Sequence, residues 1–162
     1  MVADTIGYNW ITLTASSGII ASVFSVGVNL YLRSQDEKER KRKMLYYPLF
    51  LACNGIIEVI TNYKSLGEYR SKELFISNAK ILDEITSNHG MIYLEGKNLH
   101  EFLQMKKIID ENLRFFEVRD WGFLKDLLES KNFIEIKRYA NNLYSLCQEE
   151  VKGLQRLPGE ME

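Results

Sequence analysis

Hydrophobic and polar positions divide this chain into three zones. The first is an uncharged run of 23 residues from Trp10 to Leu32, W-I-T-L-T-A-S-S-G-I-I-A-S-V-F-S-V-G-V-N-L-Y-L. The second is a dense charged stretch from Arg33 to Lys43. In the third, from Pro48 onward, apolar residues return at the three-and-four spacing of amphipathic helices. As a helix the first run spans about 35 Å at ~1.5 Å per residue. That is enough to cross a hydrocarbon core of about 30 Å with some tilt. Thr12, Thr14, Ser16, Ser17, Ser22 and Ser25 dilute its apolarity, but their hydroxyls can bond back to helix carbonyls. Asn29 lies near the charged end, within reach of headgroups. The pattern predicts a transmembrane helix over 10–32; the competing reading is an apolar helix buried in protein.

The third zone predicts a succession of helices. Pro48 marks a kink or a fresh start, because its ring clashes with the preceding turn. Leu49, Ala52, Ile56, Val59, Ile60 and Tyr63 form one face, which decays between Lys64 and Gly67. Ser71 is placed to cap the next helix, with Phe75, Ala79, Leu82 and Ile85 facing the core. Asn88-His89-Gly90 is its stop, Gly90 supplying a left-handed residue. The segment Met91–Glu95 reads as non-strand. Asn98 with Glu101 has the spacing of a reciprocal cap, opening a face of Leu99, Phe102, Leu103, Ile109, Leu113 and Phe116. Asp120 caps a short helix with Phe123, Leu124, Leu127 and Leu128. Asn132 with Glu135 repeats the cap before Phe133, Ile136, Ala140, Leu143, Cys147 and Val151. Short connections between such helices favour a small antiparallel bundle.

The expected fold is therefore all-α: an N-terminal single transmembrane helix, a basic juxtamembrane stalk and a small antiparallel helical bundle. Its divisions are a short extracytoplasmic tail over 1–9, the transmembrane helix over 10–32, a basic juxtamembrane helix over 33–47, a cytoplasmic bundle over 48–155 and a disordered tail over 156–162.

Charge sets the expected orientation. Residues 33–43 carry six basic and three acidic side chains, whereas residues 44–162 carry fifteen and eighteen. A basic collar after an apolar span places the C-terminal side in the cytoplasm of a cell membrane, such as a cell inner membrane. Trp10 and Tyr31 suit the two interfaces. A cleaved signal peptide is disfavoured, because the run is too long and no basic segment precedes it. A mildly acidic body excludes a nucleic-acid partner and suits a collar resting on anionic lipid. Arg33, Arg40, Lys41, Arg42 and Lys43 are the candidate headgroup contacts, with Tyr46 and Tyr47 at the same level.

Within the span, Gly18, Ser22, Ser25 and Asn29 recur four, three and four apart. Small residues at that spacing let two helices approach closely in lipid. They are the candidate association face, for a second copy or another partner helix. Arg114, Arg119 and Trp121, with Phe115 and Phe116 beside them, form the candidate partner surface, since aromatic and arginine side chains anchor protein interfaces.

Candidate chemistry is sparse. His89 and His100 lack the further ligands a zinc site needs. Cys53 and Cys147 read as separate buried thiols of a reducing compartment. Adjacent carboxylates such as Asp83-Glu84 and Asp110-Glu111 diverge by about 100° on a helix and make no dyad. Glu58 interrupts an apolar stretch, with Arg70 or Arg114 as its expected structural partner. No catalytic residue, metal, cofactor or small-molecule substrate is expected. An enzyme would need a pocket joining Glu58, His89 or His100. The sequence favours a membrane-anchored interaction or scaffold module over a membrane-active effector or exclusion protein that oligomerises through its span.

Overall fold

The computed structural model describes residues 26, 28–118 and 121–155. The expectations placed on 1–25 (the tail, most of the span, Gly18, Ser22 and Ser25), on Arg119 and Asp120, and on 156–162 lie outside the described residues. What is described is all-helical, without strands. The chain divides into two units, 1–40 and 41–162.

In the first unit, residues 28–40 are helical and every described side chain is exposed. Asn29 is among them. So are Val28, Leu30, Tyr31 and Leu32, which show 46%, 62%, 59% and 53% of their surface.

The second unit opens on a π-helical turn, Arg42–Tyr46. Its cause is Pro48. Proline has no N–H, so the carbonyl of Met44 loses its usual donor four residues on. The N–H of Tyr47 bonds instead to the carbonyl of Arg42, five residues back. Helix α1, Tyr47–Ser87, follows directly, with Pro48 as its second residue. Then come a 3₁₀ turn, Gly90–Tyr93, and helices α2 (Gly96–Val118), α3 (Trp121–Leu128) and α4 (Lys131–Gln155).

The predicted decay of the first helix falls at Gly67. There φ is 76° and ψ 172°, so α1 consists of two arms, 47–66 and 68–87. A Cβ at Gly67 would meet open space, so the backbone angle alone demands glycine. Ser71 caps nothing. It lies in the second arm, fully buried, and its hydroxyl has no hydrogen-bond partner among the described residues. The stop at 88–90 is shifted by one residue. His89, with φ 57°, takes the left-handed conformation, and Gly90 opens the 3₁₀ turn. Gly90 is needed for a different reason: a Cβ there would lie 2.3 Å from the carbonyl oxygen of Met44.

Two predicted caps are also corrected. Glu101 does not reach back to Asn98; its Oε1 accepts a 2.9 Å bond from Asn142 Nδ2 on α4. Helix α4 starts before Asn132, with the carbonyl of Ser130 accepting the N–H groups of Phe133 and Ile134. In both cases the tertiary partner or the nearer residue outcompetes the local pattern.

The core face of the first arm is Leu49, Ala52, Cys53, Ile56, Val59 and Tyr63; the second arm supplies Phe75, Ala79, Leu82 and Ile85. From α4 come Phe133, Ile136, Ala140, Leu143 and Cys147, all fully buried. On α2 the buried face is Phe102, Met105, Ile109, Asn112 and Phe116, whereas Leu103, predicted inward, is 46% exposed. At one centre of the core Phe75 stacks on Phe116 with centroids 3.8 Å apart, and Phe133 tilts against both. At another, Phe50 of α1 stacks on Tyr144 of α4 at 4.7 Å. The two arms of α1 meet where Gly55 leaves room for the Asn78 amide, which donates to the Leu74 carbonyl at 2.6 Å.

Among the described residues, one helix, Val28–Ser87, is long and apolar enough to cross a membrane, by its length and the composition of one 18-residue stretch. Residues 33–43 are too densely charged to belong to that stretch, so it begins at or after Lys43 and contains the buried face of the first arm. It is therefore distinct from the 10–32 run.

Candidate interaction groove

The most distinctive surface of the second unit is an open groove between the two arms of α1. One wall carries Lys43, Tyr47, Pro48 and Leu51; the other carries Ile81 and Glu84. Its volume is about 450 Å³. A neighbouring hollow of about 420 Å³ shares Lys43, Pro48 and Glu84 and continues past Met44 to Asn88 and His89.

Helical geometry explains why the wall is apolar yet open. Leu45, Leu49 and Ala52 turn inward. Tyr47 and Leu51, four apart, lie together on another face of the same turns. They stay 42% and 57% exposed. Tyr47 is held in place: Arg42 Nη2 donates a 2.6 Å hydrogen bond to its hydroxyl, and the guanidinium lies 4.7 Å from the ring centroid. The far end of the groove is the C-terminus of the second arm. Its carbonyls at Glu84 and Thr86 accept from the N–H groups of Asn88 and His89 at 2.9 and 3.2 Å. The last turn holds no basic residue, so Glu84 adds to the negative end of the helix dipole there. Lys43 supplies positive charge on the facing wall. Such a site can seat an apolar side chain between Leu51 and Ile81 and fix its approach with one cation and one anion.

The predicted residues are distributed as follows. Arg33, Arg40 and Lys43 are exposed. Lys41 and Arg42 are turned onto the second unit: the Lys41 ammonium sits 5.7 Å from the Tyr93 ring centroid, and Arg42 is engaged with Tyr47. Tyr46 is a core residue rather than an interfacial one. Of the proposed aromatic and basic surface, Arg114 is exposed and stacks on half-buried Phe115 at 5.0 Å, whereas Phe116 belongs to the core. Among the described residues Glu58 pairs with neither expected arginine: Arg70 bonds Glu73 at 3.2 Å, and Arg114 lies over Phe115. His89 lines the hollow, but Glu58 and His100 line neither cavity. Among the described residues no cluster of His, Cys, Asp or Glu could hold a metal ion.

Two further groups have shifted acidity. Burial, and then the Glu150 carboxylate, push the Cys147 thiol up to about 12. Both cysteines are buried and free. At the edge of the core, the hydroxyl of buried Tyr63 donates to Glu129 Oε1, and exposed Lys64 Nζ lies 3.3 Å from the same oxygen. These two contacts, the hydrogen bond first, lower the Glu129 carboxyl below its ordinary range.

The groove was legible only indirectly. Leu51 is an apolar residue off the core stripe, beside Tyr47 and Pro48, and that is its one signal in the sequence. Ile81 and Glu84 reach it because the chain folds back at Gly67. The chain matches no known family model, no curated protein and no solved structure.

Proposed function

We propose that this is a single-pass membrane protein that displays an antiparallel helical bundle on the cytoplasmic face of a cell membrane. The bundle binds a protein partner there, as a recruiting, sensing or scaffolding module. The observation that carries the binding role is the groove. Tyr47 and Leu51 are large apolar side chains left open beside Ile81 in one groove, whereas Tyr69, Ile92, Leu103 and Ile134 are exposed without lining it. Rimmed apolar patches of this kind are characteristic of interaction sites.

Placement at the membrane is supported by the uncharged run over 10–32 and by its basic sequel. Its last residues, Val28, Leu30, Tyr31 and Leu32, are all exposed, which suits a surrounding of lipid. Arg33 and Arg40 are exposed, as headgroup contacts require; Lys43 lines the groove, and Lys41 and Arg42 contribute by fixing the start of the second unit. Membrane fractionation of the full chain, combined with crosslinking, tests the reading. Extraction by detergent, with a partner crosslinked through the groove, supports it. Release by salt or alkaline carbonate overturns the anchor. Crosslinks that map away from Tyr47 and Leu51 overturn the groove as the binding surface.

A further inference from the structure

The groove has a property that selects its occupant. It carries one cation and one anion on opposite walls of an apolar strip: Lys43 on the wall with Tyr47 and Leu51, Glu84 on the wall with Ile81. A surface with a single sign of charge repels a rotated copy of itself. A surface with opposite charges flanking an apolar strip does not. A two-fold axis along the groove sets Lys43 of each copy against Glu84 of the other, and Leu51 of each against Ile81 of the other. Self-complementarity of this kind is what an isologous interface requires. We propose that the groove is a contact between two copies of this chain, paired about a two-fold axis.

The remaining geometry agrees. Leu51 is 57% exposed and projects from the wall, so each copy offers both a knob and a hollow. Tyr47 is immobilised by Arg42 and brings a rigid ring at little entropic cost. Lys43 already has an interaction within its own chain, but an ammonium has three donors and accommodates a second carboxylate. The patch is smaller than the roughly 800 Å² per partner typical of a stable dimer in solution. Confinement to one membrane compensates by raising the effective concentration. For that confinement alone, the pairing rests on the anchor proposed above.

Charge reversal in the full chain in bilayers tests it, with two affinity tags reporting co-purification. Lys43→Glu sets two carboxylates together at each contact, and Glu84→Lys sets two ammoniums together. Each variant alone should lose pairing by about tenfold. Mixing Lys43→Glu chains with Glu84→Lys chains should restore it, because every contact is again between opposite charges. Restoration also shows that both variants fold. Leu51→Asp, on an exposed position, should abolish pairing in every combination. A wild-type chain that stays monomeric overturns the proposal. So does a dimer indifferent to both reversals, or one lost only on Gly18→Leu with Ser22→Leu. Fractionation reads the anchor separately: a soluble chain whose pairing follows the charge pattern keeps this contact and removes the membrane.

Discussion

Apolar residues meet opposite fates in the two units. Leu30 and Leu32 leave 62% and 53% of their surface uncovered, whereas Leu45 and Leu49, a few turns on, leave none. The residue type is the same; the company differs. In the second unit the inward positions find Phe75, Phe116, Phe133 and the α4 face. In the first, the described helix leaves about half of each large apolar side chain uncovered. Burial is worth roughly 25 cal/mol per Å². The second unit thus spends its apolar residues on its own stability. Those of the first stay exposed, which is what the proposed lipid surrounding requires.

Chemical access separates the two most sharply. At pH 8 a thiol pushed up to about 12 is ionised to only about one part in ten thousand, and the thiolate is the reacting species. Cys147 should therefore label with a maleimide at least about a thousandfold more slowly in the folded chain than in denaturant. A cysteine introduced by Leu30→Cys sits on an exposed position. In intact membranes it should resist a charged maleimide and become reactive only when detergent admits water. Rapid labelling by the charged reagent would place that helix in water and break the contrast.

Core substitution comes next. Phe116→Ala removes a ring stacked 3.8 Å from Phe75. It should destabilise the second unit by about 3–5 kcal/mol, measured by denaturant unfolding. Leu30→Ala should leave the same transition unmoved. A common shift in both would mean that the first unit's apolar residues also serve the core.

The helices that were legible in the sequence are those whose faces repeat without interruption. Phe75, Ala79, Leu82 and Ile85 fall inward as spaced, and so do Phe133, Ile136, Ala140, Leu143 and Cys147. What escaped the pattern was decided by partners distant in sequence. Glu101 has the spacing of a cap but answers Asn142, 41 residues away. Leu103 looks apolar enough for the core, but Met105, which the face omitted, lies there instead. The groove is the extreme case. Its walls are some thirty residues apart in sequence, and no local rule joins Leu51 to Ile81.

Gly90 sharpens the same lesson at an intermediate magnitude. Glycine at a helix end suggests backbone freedom, yet here the left-handed residue is His89. If Gly90 serves close approach to the Met44 carbonyl, Gly90→Ala forces backbone apart at a 2.3 Å contact. It should cost about 1–3 kcal/mol. His89→Gly relieves the positive φ and should be neutral or slightly stabilising. The opposite order would return the conformational role to Gly90.

The smallest expected effect lies at the edge of the core, where the Tyr63–Glu129–Lys64 contact ties α1 to the turn before α4. The folded Glu129 carboxyl is lowered, so its contribution is present above the unfolded carboxylate range and is lost as pH falls through the folded value. Thermal stability should therefore decline on acidification below about pH 4.3, the ordinary glutamate value. Glu129→Gln should flatten that part of the profile while changing little at neutral pH. The side chain is 60% exposed, so solvent and salt screen the ion pair and the shift in melting temperature should be slight. Tyr63→Phe removes the leading cause, the hydroxyl donor, and keeps the lysine. It should flatten the acid limb more than Lys64→Met does. If Lys64→Met has the larger effect, Coulombic attraction rather than the hydrogen bond governs the contact, and its salt dependence should then be correspondingly steep.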